Sequence, residues 1–363
     1  MSAVAVVLPG AAPRWLRPLL TYAITAVALV IYPLIVPDFW AFQIGAQSLF
    51  LGVISLSLMF LGGYGGMVSL AQMSIAGVAG YLIAIIGGNS LNFGPMWPWW
   101  AAVPIAIAGG TLAATLIGVI SVRTAGIYTI MITIAIAMAF FYLAQQNYTL
   151  FNGHSGFASI LPPQVFGLDW RSPIPFYFLS LVVAALSYAL VLYLSRSTFG
   201  IALQGIRDNA RRMRALGFNV TAHRVAAYAI AGFIASFGGI LLVWFNSRIS
   251  PGTVDTGPIF DILIIAVLGG MRHPIGPFLG AVIFVLLENF AIDFIDRERF
   301  NTLIGVCFLA IVLFSPDGVL GLWARFVALI KSAGAANRMT RRPIGDGNSL
   351  QPAASGRFIQ GRQ

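Results

Sequence analysis

Charge is what this chain has least of. Only 9% of its 363 residues are charged, against about a quarter in ordinary soluble domains, which excludes a chain folded wholly in water. A single cysteine, Cys307, rules out an intrachain disulfide and any cysteine cluster for zinc or iron–sulfur chemistry. The three histidines, His154, His223 and His273, lie far apart in sequence, so no metal site is expected. The eleven acidic residues are scattered, and no GxSxG is present. The one lysine, Lys331, follows Ile330 where a phosphate-binding loop would need glycine. No catalytic constellation and no cofactor are expected in this chain; if ATP is used, another subunit must bind it.

What is abundant is apolar surface. With 59% apolar residues and a mean hydropathy of +0.89, the chain reads as an all-α integral membrane protein. A hydrocarbon core of about 30 Å needs roughly 20 apolar residues per helix. On that scale the runs near 18–36, 40–61, 67–87, 99–121, 127–146, 174–195, 225–245, 258–271, 275–292 and 301–315 predict about ten transmembrane helices, the eighth of them short. The first run is too long for the apolar part of a signal peptide. The net charge of +10 does not call for nucleic acid, because the basic residues lie between runs too long for a soluble domain. With the amino terminus inside, seventeen basic residues fall on the cytoplasmic side and four outside, Arg171, Arg248, Arg297 and Arg299. Both termini are thus expected in the cytoplasm: a segment 1–17, a membrane domain 18–330, and a tail 331–363 that loses apolar periodicity and is expected to be disordered. On the outer side, Trp97, Trp99 and Trp100 suit the headgroup level, and a turn-rich loop, 147–173, serves either as a connector or as a landing surface.

The stretch 195–224 carries six arginines between the sixth and seventh runs. Ile206, Ala210 and Met213 share one helical face, and Arg207, Arg211 and Arg214 another, which predicts a short amphipathic basic helix stopped near Gly217. Asp208 precedes Arg212 by four residues, a spacing that suits a local ion pair. Such a helix either rests on anionic lipid headgroups or docks another protein.

Inside the runs, small and polar residues concentrate. Six glycines accompany Ser69, Gln72 and Ser74 in 62–81. They fit close helix packing, a broken helix lining a solute path, or both. In 123–135, Thr129 and Thr133 lie one turn apart on the face of Gly126, where their hydroxyls can bond the preceding turn. In 261–277 the Gly269-Gly270 and Pro274 breaks fit a tilted short span or a re-entrant element. Asp261 and Glu288 fall near expected outer ends and need not be buried.

Together these segments resemble the permease subunits of ATP-binding-cassette importers for branched-chain amino acids, the LivM type, within a wider family of sugar and urea or amide permeases. The matching residues are GYGGMVSLAQ at 63–72, RTAGIYTIMIT at 123–133, NGHSGF at 152–157 and FGIALQGIRDNARRMRALGFNV at 199–220, followed by VLGGMRHPIGPFLGAV. The resemblance implies that 196–224 is a cytoplasmic segment coupling to an ATPase, with Arg207, Asp208, Asn209, Ala210, Arg211, Arg214, Leu216 and Gly217 at its recognisable positions. It also implies a second, LivH-like permease, two ATPase subunits holding ATP and Mg, an external solute-binding protein, and a bacterial inner membrane. Several positions depart from the pattern: Ala210 where an acidic residue is usual, Met67 where glutamine is common, Ala71 where glycine is common, and Ser155 where aspartate is common.

The reading that follows is a permease subunit carrying a branched-chain or other aliphatic amino acid, without enzymatic activity of its own. Ser69, Gln72, Ser74, Tyr128 and Thr133 are its candidate path residues. Rival readings are urea, amide or sugar uptake by the same machinery, an ion-coupled secondary transporter, and a membrane scaffold. The scarcity of intramembrane carboxylates argues against proton coupling.

Overall fold

The computed structural model describes residues 16–89, 94–124, 126–164, 167, 169–291, 305, 306, 309 and 318–321. The expected tenth run and the tail 331–363 lie essentially outside these residues, as does most of 1–17. Helix α1 (Leu16–Ile35) comes first. A continuous helix from Trp40 to Tyr64 follows, with α2 (Gln47–Met59) between two π-helical stretches, Trp40–Ala46 and Phe60–Tyr64. After an irregular turn come α3 (Gln72–Ile86), α4 (Trp99–Ser121) and α5 (Ile127–Gln146). Short α6 (Tyr148–Phe151) and strand β1 (Phe157–Ala158) form the next loop, ahead of α7 (Pro173–Arg196), α8 (Thr198–Ala215) and α9 (Val220–Asn246). Strand β2 (Arg248–Ile249), α10 (Thr256–Gly269) and α11 (Gly276–Ala291) follow.

Among the described residues, six helices are long and apolar enough to cross a membrane: Trp40–Tyr64, α4, α5, α7, α9 and the stretch Pro251–Gly269, in which a 3-10 turn extends α10. That extension gives the short eighth run the length of a span. Helix α9 is the axis of the bundle and packs against α2, α3 and α4. Close approach explains several glycines. A Cβ on Gly239 of α9 would strike the Ala76 backbone of α3, and one on Gly280 would strike the Ile265 carbonyl of α10. By contrast α4, α5 and α7 turn apolar side chains such as Leu112, Leu116, Met131, Val182 and Leu186 outward, as helices facing lipid or another apolar subunit do.

The helix starts are chemically defined. Ser197 accepts from the Gly200 amide at 3.3 Å, Asn219 from the Ala222 amide at 3.0 Å, and Asp255 from the Thr256 amide at 2.6 Å. At one end of the bundle the loop after α5 is tied down by antiparallel pairing of Phe157 with Ile249 and Ala158 with Arg248. Tyr81 of α3 stacks edge-on against Phe140, Phe151 and Phe157. The same end carries the half-exposed Trp97, Trp99 and Trp100. It also holds a recess of about 240 Å³ bounded by Trp97, Trp99, Trp244 and Ile160, with no charged lining residue.

One expectation is narrowed and one changes. The third apolar run, 67–87, where close packing or a broken helix was expected, is helical only from Gln72, after Gly66 takes a φ of +67°. Its 15 residues span only about 22 Å as a helix, so the turn before it occupies part of the thickness of the bundle. The basic helix expected over 200–217 forms as α8 but breaks at Asn209, whose φ of −156° and ψ of 92° are extended.

Candidate functional site

At the end of the bundle opposite the tryptophans, the turn between Tyr64 and Gln72 meets α5, α8, α9 and the turn after α10. The π-helical stretch Phe60–Tyr64 closes with the Gly66 amide donating to the Gly62 carbonyl at 3.2 Å and the Met67 amide to the Leu61 carbonyl at 3.0 Å. Beyond it, Ser69, Leu70, Ala71 and Gln72 are buried. The Leu70 amide donates to Thr133 Oγ1 at 3.1 Å, and that hydroxyl bonds its own preceding turn at the Ile130 carbonyl, 3.0 Å away. Ser57 Oγ donates to Gln72 Oε1 at 2.9 Å. The Tyr228 hydroxyl of α9 faces the hydroxyls of Ser121 and Ser69 without an aligned hydrogen bond.

The result is a buried cluster of hydroxyls and one carboxamide, drawn from α2, the turn, α4, α5 and α9. Among the described residues, Gln72 Nε2, Ser74 Oγ, Ser121 Oγ and the Tyr228 hydroxyl have no hydrogen-bond partner. An unsatisfied buried polar group costs about 1–3 kcal/mol, so a solute, a water or a rearranged side chain that bonds these atoms is favoured here. The hydroxyls and the carboxamide carry no charge, and the half-buried Arg224, one turn before Tyr228 on α9, places a cation at their edge. The cluster can offer donors and acceptors to a small polar solute, but it holds no group that would neutralise an ammonium.

Of the expected path residues, the structure brings Ser69, Gln72 and Thr133 together in this region and buries Ser74 half a turn beyond Gln72. It does not bring Tyr128, which is 66% exposed. Neighbouring positions on a helix are turned by about 100°, so when Thr129 and Thr133 face inward Tyr128 faces out. Ser57, Ser121 and Tyr228 were not among the expected residues. Other hydroxyl side chains share their helices, Ser55 with Ser57, Thr115 with Ser121 and Ser236 with Tyr228, so no spacing singles these three out.

Helix α8 lies against this turn. Its first part buries Gly200, Ala202, Leu203 and Ile206. Arg207 donates from Nε to Asp208 Oδ1 at 2.9 Å and from its terminal nitrogen to the Gly63 carbonyl at 2.5 Å. The expected pairing of Asp208 with Arg212 is replaced by this one, because the break at Asn209 removes the helical register between them. Asn209 ends the first part and caps the second, its Oδ1 accepting from the Arg212 amide at 2.9 Å. The second part exposes Arg211, Arg212 and Arg214, followed by exposed Leu216 and Gly217, while Ala210 is half-buried. Arg207 and the later arginines thus do not form one continuous stripe.

Away from this region, Asp261 and Glu288 are half-buried rather than exposed, and Gln47 Nε2 donates to Glu288 at 3.1 Å. Among the described residues, no three histidine, cysteine or acidic side chains gather as a metal site would require.

A family model described as the permease component of branched-chain amino acid transport systems matches residues 41–313. The chain belongs to that family. Among curated proteins it is similar to the high-affinity branched-chain amino acid transport system permease LivM of Salmonella typhimurium, 24% identical over 79% of this chain and 73% of that one. It is similar also to LivM of Escherichia coli K12, 23% identical over 77% and 72%. The ribose import permease RbsC of Haemophilus influenzae is 22% identical over 81% of this chain and 91% of its own. No solved structure matches the chain. This LivM-type permease is a multi-pass membrane protein and a transport component rather than an enzyme.

Proposed function

We propose that the chain is the membrane subunit of an ATP-driven importer that carries branched-chain or other aliphatic amino acids inward across a bacterial inner membrane. In this reading the chain makes about ten crossings with both termini in the cytoplasm. The exposed part of α8, Arg211 to Gly217, docks one of two ATPase subunits, which bind ATP and Mg. A second, LivH-like permease completes the membrane unit, and an external binding protein delivers the solute near the 147–173 loop.

The observation that carries the proposal is the junction of an exposed basic half-helix with a broken turn that holds an uncharged, underbonded polar cluster. Closure of an ATPase dimer on α8 would shift the population between inward-open and outward-open states, since each state gives the cluster different partners. Ser69, Gln72, Ser74 and Thr133 would touch the passing solute. Because the cluster holds no anionic group, recognition of an amino acid's ammonium falls to the external binding protein.

The likeness to the ribose permease over nearly its whole length supports a second reading, a sugar substrate, which a hydroxyl-rich cluster also suits. Uptake of labelled leucine by cells expressing the whole system, with leucine, ribose and urea as competitors, separates the two. Saturable leucine uptake displaced by unlabelled leucine and not by ribose or urea is expected; absent leucine uptake together with saturable uptake of labelled ribose would replace the first reading with the second.

A further inference from the structure

We infer that Arg207, whose side chain is 40% exposed, is a positioning residue, one that holds the broken turn in place rather than one that binds the ATPase. The inference rests on the proposed importer role and adds a mechanism within it. Three observations and one general rule carry it. The guanidinium reaches from α8 to the Gly63 carbonyl, 144 residues earlier in the chain. Carbonyls in the last turn of a helix lack intrahelical donors and favour a nearby cation, which a guanidinium provides with fixed geometry. Asp208, its neighbour, orients the same guanidinium through Nε. At Gly66 a Cβ would collide with the aliphatic stem of Arg207, so the glycine both turns the chain and leaves room for this side chain.

The far side of the turn is held as well. Gly62 and Gly63 lie against Met271, in the turn between α10 and α11, and Leu70 and Gln72 are bonded to Thr133 and Ser57. The segment between Gly63 and Gln72 is therefore clamped at one end by α8 and at the other by the polar cluster. Displacement of α8 reaches the cluster through Arg207 over fewer than ten residues of chain. The exposed arginines beyond the Asn209 break remain for docking.

The test uses the whole complex in proteoliposomes with Arg207→Gln, Arg207→Lys and Asp208→Asn, measuring retained ATPase, ATP hydrolysis and solute moved per ATP. The expected result for Arg207→Gln is full retention of the ATPase, continued hydrolysis and a fall of about tenfold in solute per ATP, the scale of a coupling free energy between sites. Arg207→Lys should recover part of the loss and Asp208→Asn should lose less. Loss of the ATPase from the Arg207→Gln complex, or an unchanged solute-per-ATP ratio, would overturn the inference. A readout independent of transport is thiol labelling of Ala71→Cys with Cys307 replaced by serine. Ala71 is fully buried, and labelling should accelerate severalfold when Arg207→Gln is added. Equal labelling rates would count against the latch even in a system that shows no ATP-driven uptake, whereas absent uptake with accelerated labelling would count against the importer reading alone.

Discussion

The two parts of α8 both carry arginine, but the first adds an apolar face that the second lacks, and they meet different surroundings. Before Asn209 the helix is anchored, with Gly200, Leu203 and Ile206 buried and Arg207 turned onto the Gly63 carbonyl. After Asn209 it is short, exposed and basic, and its one carboxamide cap is the hinge itself. The difference teaches that arginine spacing alone does not define a face. The backbone break decides which arginine belongs to the bundle and which to the surroundings.

The anchored part should be the more fragile. A Cβ on Gly200 would lie 2.8 Å from the Ser195 Cα and would also meet the Leu194 carbonyl, and backbone cannot yield as a side chain can. Gly200→Val is expected to prevent α8 from seating at all, so that little monodisperse protein is recovered from membranes; normal recovery would show that α8 is not anchored there. Next in size is the double change Arg211→Glu and Arg214→Glu, which should leave recovery unchanged and reduce ATPase co-purification about tenfold or more, as expected where like charges replace complementary ones. A lipid-bound helix would instead show unchanged co-purification and weaker dependence on anionic lipid.

Gly66→Ala probes the junction of the two parts. It places a side chain at positive φ, a cost of about 1–2 kcal/mol, and presses on the movable stem of Arg207. Uptake is expected to fall severalfold with the ATPase still bound. The smallest effect belongs to Asn209→Ala, which removes a cap of about 1 kcal/mol and should lower the thermal midpoint of the complex by no more than a few degrees, with docking weakened only slightly.

Much of this architecture is legible in the sequence. The runs at 99–121, 127–146 and 174–195 coincide with α4, α5 and α7 within a residue or so, because length and hydropathy alone determine such helices. The basic segment between α7 and α9 is equally clear from its charge. What periodicity could not supply was any feature decided by contacts across the fold. The non-helical turn before Gln72 lies within an unbroken apolar run, and only its glycines hint at it. The break at Asn209 sits amid good helix-forming residues. Ser57, Ser121 and Tyr228 enter the cluster because α2, α4 and α9 converge, and the outward turn of Tyr128 follows from α5 presenting its threonine face to the bundle.

The measurement that tests the central claim most directly is purification of the tagged chain from its native membrane in mild detergent, followed by identification of its companions and an ATPase assay. Recovery of ATPase subunits and a second permease, with hydrolysis stimulated by the solute-loaded binding protein, is the predicted result. Recovery of the chain alone, with solute uptake in liposomes driven by an ion gradient and indifferent to ATP, would contradict it.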